Sequence, residues 1–113
     1  MSEAPTHRAF FGDGEKTFAL PVDLIIELER KAGCGIGALA RRFFNAEFHF
    51  SDLTEVARLG LVGGGTDPED AAALVNLYAP RMSVTALYEL TAPLIELVMF
   101  GAPKPQTEAS ADA

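Results

Sequence analysis

The stretch Leu20–Phe44, LPVDLIIELERKAGCGIGALARRFF, decides the fold because its pattern predicts two amphipathic helices joined by a glycine-rich break. In each half, apolar residues recur at spacings of three and four, while charged residues take the other side. Pro21 suits the first helical position, and Gly33 suits the end of the first helix. Each helix therefore has one apolar face that another element must cover. The predicted centre of the core consists of four residues from these faces: Ile25, Leu28, Leu39 and Phe43.

The preceding segment, HRAFFGDGEKTFAL (residues 7–20), predicts a β-hairpin. The dipeptide Asp13-Gly14 is a favoured two-residue turn between alternating and aromatic residues. That turn places Phe11 opposite Lys16 on the face to be buried and leaves Phe10 on the other face. Because an isolated hairpin is marginal in water, this one is expected to pack on the helices or to pair with another chain.

Three further helices are predicted after residue 50. Asp52 and Glu55 have capping-box spacing at the start of the third helix. The segment Thr66–Glu69 begins the fourth with a capping residue, a proline and an acid. The fifth begins near Ser83, and Pro93 is expected to kink or divide it, because its ring removes a backbone hydrogen bond and clashes with the preceding turn.

These elements predict an α+β, mostly helical fold, in which an N-terminal β-hairpin packs on a bundle of four to five short helices. Residues 7–101 are expected to form a single globular domain, with the hairpin in 7–20 and the helices in 21–101. The ends, residues 1–6 and 102–113, are polar and are predicted to be disordered.

Composition restricts the possible partners. The chain has 113 residues, of which 49% are hydrophobic, and its formal net charge is −7. That charge disfavours binding to nucleic acid and to anionic membrane surfaces. The single cysteine, Cys34, has no internal disulfide partner, and the N-terminus lacks the apolar core of a signal peptide. No apolar run is long enough to span a bilayer, so a cytoplasmic protein is predicted.

Several apparent chemical motifs have simpler explanations. The spacing Gly33-x-Gly35-x-x-Ala38 imitates a dinucleotide-binding fingerprint, but it follows a predicted helix rather than a strand. The run Gly63–Thr66 has no following lysine, so a flexible or tight connector is favoured over a phosphate loop. His7, His49 and Cys34 are too few and too scattered for a zinc site. No cofactor or metal is expected.

Catalytic pairs are no clearer. Glu27 with Glu29, and Glu69 with Asp70, lie at helix starts or on polar faces, where solvated charge is the ordinary explanation. No serine or cysteine has a base nearby in motif form. We therefore expect no catalytic residues and no enzymatic activity.

Three blocks of sequence carry a family resemblance: FFGDGEKTFALP, ELERKAGCGIGALARR, and LTEVARLGLVGGGTDPEDAAALV with a following Tyr78. Together they resemble the small gene transfer agent family related to phage tail assembly chaperones. The resemblance covers about Ala9 to Gly101, and it lies in glycines, helix caps and apolar stripes rather than in reactive groups. Members of the family are described either as tail tube proteins or as tail assembly chaperones.

The resemblance implies a non-enzymatic role in building a phage-like tail. A chaperone would hold the helical, apolar tape-measure protein in solution and help tube subunits to polymerise around it. A structural tube or adaptor subunit is the alternative, but a tube subunit is expected to be rich in strands, and one hairpin does not supply them. The chaperone is therefore favoured, while a helical DNA-binding regulator or an enzyme remains a minor alternative.

An excess of apolar residues near the C-terminus predicts the working surface. Residues 90–100 are apolar on more than one face of a helix, so a small domain can hardly bury all of them. The alternative is a central helix buried all round. Glu89 and Glu96 beside this stripe suit a partner helix with basic flanks. The partner is predicted to be the tape-measure protein, a tail tube subunit or a second copy. The predicted partner-binding residues are Phe10, Ile95, Val98, Met99 and Phe100.

Overall fold

The computed structural model of the chain describes residues 4–102. The predicted disordered ends lie outside the described residues, apart from residues 4–6 and Ala102. Thr6 already belongs to the first strand, so the hairpin begins one residue earlier than predicted. The elements in chain order are β1 (Thr6–Phe11), β2 (Gly14–Ala19), α1 (Val22–Ala32), α2 (Ile36–Phe44), α3 (Phe50–Gly63), α4 (Pro68–Tyr78), a 3-10 turn (Ala79–Arg81) and α5 (Val84–Phe100). The predicted α+β, mostly helical fold is thus confirmed.

Helix α3 is the centre of the domain, because β2, α1, α4 and α5 all pack against it. Three of the four residues predicted as the centre of the core are fully buried, namely Leu28, Leu39 and Phe43. Ile25 is the exception, since it is only half-buried and packs at the edge of the core.

The hairpin turn is Gly12-Asp13 rather than the predicted Asp13-Gly14, because Phe11 pairs with Gly14. Gly12 has a positive φ of 70°, as a glycine-first hairpin turn requires. A side chain at Gly12 would also collide with the ring of Tyr78, 2.6 Å from the Cβ position. The register shifts by two residues along β2, and an even shift keeps every side chain on its predicted face. Phe11 is therefore still buried and Phe10 still exposed.

Two predicted helix features are corrected. Helix α3 begins at Phe50, so Asp52 lies in its first turn and accepts a hydrogen bond from the backbone N–H of His49 at 2.8 Å. Helix α5 continues through Pro93 as a single element, so it does not divide, while the alternative of a kink at Pro93 stays a prediction. The neighbouring Leu94 stays buried in the core.

Charged side chains fix the junctions between the first three helices. Glu29 of α1 accepts a hydrogen bond from the N–H of Ile36 at 2.8 Å and so caps the start of α2. Arg42 of α2 contacts both carboxylate oxygens of Asp52, at 3.1 and 3.2 Å. Asp52 is 3% exposed, so this ion pair links α2 to α3 in a largely buried position.

The glycines at the end of α3 begin the predicted connector, which is tight: α3 ends at Gly63 and α4 begins at Pro68, and two of these glycines also touch β2. A Cβ at Gly63 would lie 1.9 Å from the carbonyl oxygen of Ala19, and a Cβ at Gly64 would lie 1.9 Å from that of Thr17. The backbone of β2 therefore rests directly on the last turn of α3. This close approach fixes the position of the hairpin on the helical bundle.

Candidate partner-binding surface

The last two turns of α5 pass from the core to the surface. Leu94 and Ile95 are 1% and 0% exposed, whereas Met99 is 38% and Phe100 is 74% exposed. Val98 is half-buried and packs against the core. Ile95 therefore cannot contact a partner in this fold. For the other predicted residues of α5, the partner-binding role stays a prediction.

A second aromatic side chain joins the end of α5. The ring of Phe44, which is 45% exposed, stacks on that of Phe100 with centroids 6.2 Å apart and an interplanar angle of 18°. Phe44 ends α2, and its neighbour Phe43 points inward, where its carbonyl accepts a hydrogen bond from the Tyr88 hydroxyl at 2.9 Å. This anchoring leaves Phe44 facing outward. We call Phe44, Met99 and Phe100 the Phe44–Phe100 surface.

Two hollows lie on either side of the end of α5, and Leu97 lines both. The first is shared with Pro5 and with the start of α1, where Val22 is exposed. The second lies between α5 and the start of β1, and we call it the β1–α5 groove. Its lining residues are Thr6, His7, Pro93, Glu96, Leu97, Phe100, Gly101 and Ala102.

Phe10 is exposed, as predicted, but it does not line the β1–α5 groove. It lies four residues beyond Thr6 along β1, which corresponds to roughly 13 Å of strand. Thr6 borders the groove together with Phe100. The predicted partner-binding residues thus lie in two separate regions, the end of α5 and the outer part of the hairpin, and do not form one continuous patch.

The exposed acids Glu89 and Glu96 bring negative charge to the outer side of α5. The carboxyl groups with a lowered pKa lie elsewhere: the Lys16 ammonium lowers the pKa of Asp13, and the Arg30 guanidinium lowers the pKa of Glu27. Both are surface ion pairs in which one partner, Lys16 or Glu27, is partly covered. Among the residues that line the β1–α5 groove, Glu96 supplies a carboxylate.

The part of the chain that the structure describes, residues 4–102, also bears on other kinds of site. Within that range, no three His, Cys, Asp or Glu side chains come together as metal ligands. No helix in the same range is long and apolar enough to cross a membrane.

Sequence reasoning missed Phe44 and the part that Pro93 and Leu97 play in the groove. The apolar stripe of α2 ended at Phe43, so the next aromatic residue was not assigned to either face. Two adjacent aromatic residues at the end of a helix were the available signal, since their side chains leave the helix about 100° apart and so point in different directions. The groove depends on the packing of β1 beside α5, which no local pattern specifies.

Comparison with known proteins places this helical domain in a family. A family model described as "Phage tail tube protein, GTA-gp10" matches residues 4–110, which is nearly the whole chain. No curated protein and no solved structure matches it. The chain therefore belongs to the GTA-gp10 family of phage tail proteins, as its resemblance to gene transfer agent proteins predicted.

Proposed function

We propose that this protein is a non-enzymatic tail assembly chaperone that binds the tape-measure protein in the cytoplasm of the producing cell. The observation that supports this most is the Phe44–Phe100 surface, where two large apolar side chains stack on each other while facing solvent. Exposed aromatic residues that cluster in this way are typical of binding sites, because burying them on association is favourable.

The chemistry of this surface suits a helical partner. An amphipathic helix lays its apolar face on exposed apolar residues of its receptor, and residues three and four apart act as anchors. Glu89 and Glu96 are exposed on α5, so basic residues flanking such a helix gain favourable contacts. A net charge of −7 keeps the chaperone itself in solution while it presents apolar groups.

The proposal is tested by co-expressing the protein with its tape-measure protein and measuring how much tape-measure protein stays soluble and is recovered by pull-down. Phe100→Glu and Met99→Glu are expected to reduce recovery at least tenfold, because a charge is placed within the apolar contact. Leu77→Glu is the matched control, since Leu77 is 46% exposed near the end of α4. Circular dichroism checks that all variants fold. Undiminished recovery with both folded α5 variants contradicts the proposal.

A structural tube subunit is the second candidate, and the description of the family favours it. A two-stranded sheet at the surface could also contribute to a sheet shared between subunits. Against this, the described residues 4–102 contain only one hairpin, whereas a ring closed by strands needs more of them. The two candidates differ in whether the protein remains in the finished particle.

A further inference from the structure

The outer edge of β1 has backbone groups that its partner strand does not use. In an antiparallel pair, the residues of alternate cross-strand pairs direct their N–H and C=O groups away from each other. The carbonyl oxygens of Thr17 and Ala19 point away from β1, since they lie against the last turn of α3. Their cross-strand partners are Arg8 and Thr6. The backbone groups of Arg8 and Thr6 therefore point outward from the opposite edge of the sheet.

The two edges of the sheet are not equivalent. The edge of β2 is covered by α3, so another strand cannot approach it. The edge of β1 is open: Thr6, Arg8 and Phe10 are exposed, and within residues 4–102 no backbone hydrogen bond from outside the sheet reaches them. The Arg8 side chain does not cover this edge either, because it turns across the sheet to Thr17 and Glu15, at 2.9 and 3.1 Å. A six-residue open edge is a template for another strand.

The β1–α5 groove lies beside the start of this open edge. It provides a surface on which the side chains of an added strand can pack. Pro93, Glu96, Leu97 and Phe100 are spaced by three and four residues, so they form one stripe along α5. Thr6 and His7 of β1 form the other wall. Side chains of a strand added to β1 would meet three apolar residues of α5 and the carboxylate of Glu96.

We propose that the open edge of β1 and the β1–α5 groove bind an extended segment of another protein by strand addition. The segment has apolar residues at alternate positions, which pack on Pro93, Leu97 and Phe100, and a Lys or Arg that pairs with Glu96. A second copy of this chain fits less well. Each copy carries a charge of −7, so two copies repel each other. This site differs from the Phe44–Phe100 surface, which is proposed to bind a helical partner, although both sites include Phe100.

The test selects binders from a yeast-displayed library of random 12-residue peptides with the full-length protein. Enriched peptides are expected to have apolar residues with a period of two and at least one basic residue. The selected peptides are then measured against Arg8→Pro and Arg8→Ala. Proline removes the outward N–H of Arg8 and is tolerated where an edge N–H faces solvent, whereas alanine keeps that N–H. Affinity is expected to fall at least tenfold with Arg8→Pro and to change less than threefold with Arg8→Ala.

A charge exchange gives an independent readout that does not alter the strand. Glu96→Lys is expected to weaken the selected basic peptides at least threefold, and changing their basic residue to Glu is expected to restore binding. Amide hydrogen exchange should show Thr6, Arg8 and Phe10 exchanging rapidly in the free protein and slowing with bound peptide.

Three outcomes would overturn the inference. One is enrichment of peptides with helical periodicity, or no enrichment at all. Another is unchanged affinity of a folded Arg8→Pro variant together with no effect of the Glu96 exchange. The third is a dimer in sedimentation experiments that Arg8→Pro converts to monomer, because a second copy would then occupy the edge.

Discussion

Replacing Gly63 with alanine should show how strongly the domain depends on the contact between α3 and β2. The added Cβ would lie 1.9 Å from the carbonyl oxygen of Ala19 and 2.8 Å from its carbonyl carbon. Ordinary van der Waals contact needs roughly 3.5 Å. The strand or the helix end must therefore move by more than 1 Å, and backbone cannot rotate away as a flexible side chain can.

The expected cost is at the upper end of overpacking effects, about 3 kcal/mol. In a domain of this size, that loss should lower the thermal midpoint by roughly 10 to 20 °C. Gly37→Ala is the matched control, because nothing lies within 4 Å of its Cβ position and it is exposed in the first turn of α2. That change should leave stability unchanged or raise it by up to about 1 kcal/mol.

Urea unfolding followed by circular dichroism measures both variants. If Gly63→Ala unfolds at the same urea concentration as the parent, or at a higher one, the close packing of β2 on α3 is wrong. A loss of stability of the same size in Gly37→Ala would show that alanine is unfavourable at glycine positions in general, so that the contact is not the cause.

Three further results are expected. Phe43→Ala should lower the free energy of unfolding in urea by about 3 to 5 kcal/mol, because Phe43 is fully buried. Phe100→Ala should lower it by less than about 1 kcal/mol, because Phe100 is exposed. Equal effects would contradict the assignment of Phe43 to the core and Phe100 to the surface. Arg42→Ala should lower the free energy of unfolding by roughly 2 to 3 kcal/mol in the same assay, because it leaves the buried Asp52 carboxylate without the guanidinium that it contacts. Unchanged stability would show that this ion pair is not formed. The Arg30 guanidinium lowers the pKa of Glu27, so ionised Glu27 stabilises the fold slightly. This effect is complete above the ordinary carboxyl pKa of about 4.3 and is lost as pH falls through the lowered value. The parent and Glu27→Gln should therefore converge in stability at low pH and at high salt.

Much of the fold could be predicted because local signals agreed with each other. Apolar stripes, the cap at Asp67 and the stop at Gly33 each define a helix through short-range physics, and the structure has these helices. The hairpin faces were also predictable, since alternation in β1 determines which of its side chains are buried and the register error was an even number of residues. The predicted position of the turn was wrong, because Gly12 packs against Tyr78. That contact joins residues far apart in sequence, which local patterns do not reveal.

The candidate surface was less predictable because it depends on how elements pack. Composition showed that α5 has more apolar residues than one face can hold. It therefore predicted that some of them stay at the surface, and Phe100 is indeed exposed. It could not show that Ile95 points into the core, because a helix that is apolar all round has no periodic signal for its orientation. Likewise, glycines at the end of α3 look identical in sequence whether they form a flexible loop or a tight contact.

Quantitative mass spectrometry of purified particles tests the proposed chaperone role most directly. The ratio of this protein to the tape-measure protein should be measured in particles and in lysates of the producing cells. A chaperone that leaves during assembly predicts far less than one copy per tape-measure molecule in the particles, although the protein is abundant in the lysate. Several copies per particle, retained after stringent purification, would contradict that role and identify the protein as a structural component of the tail.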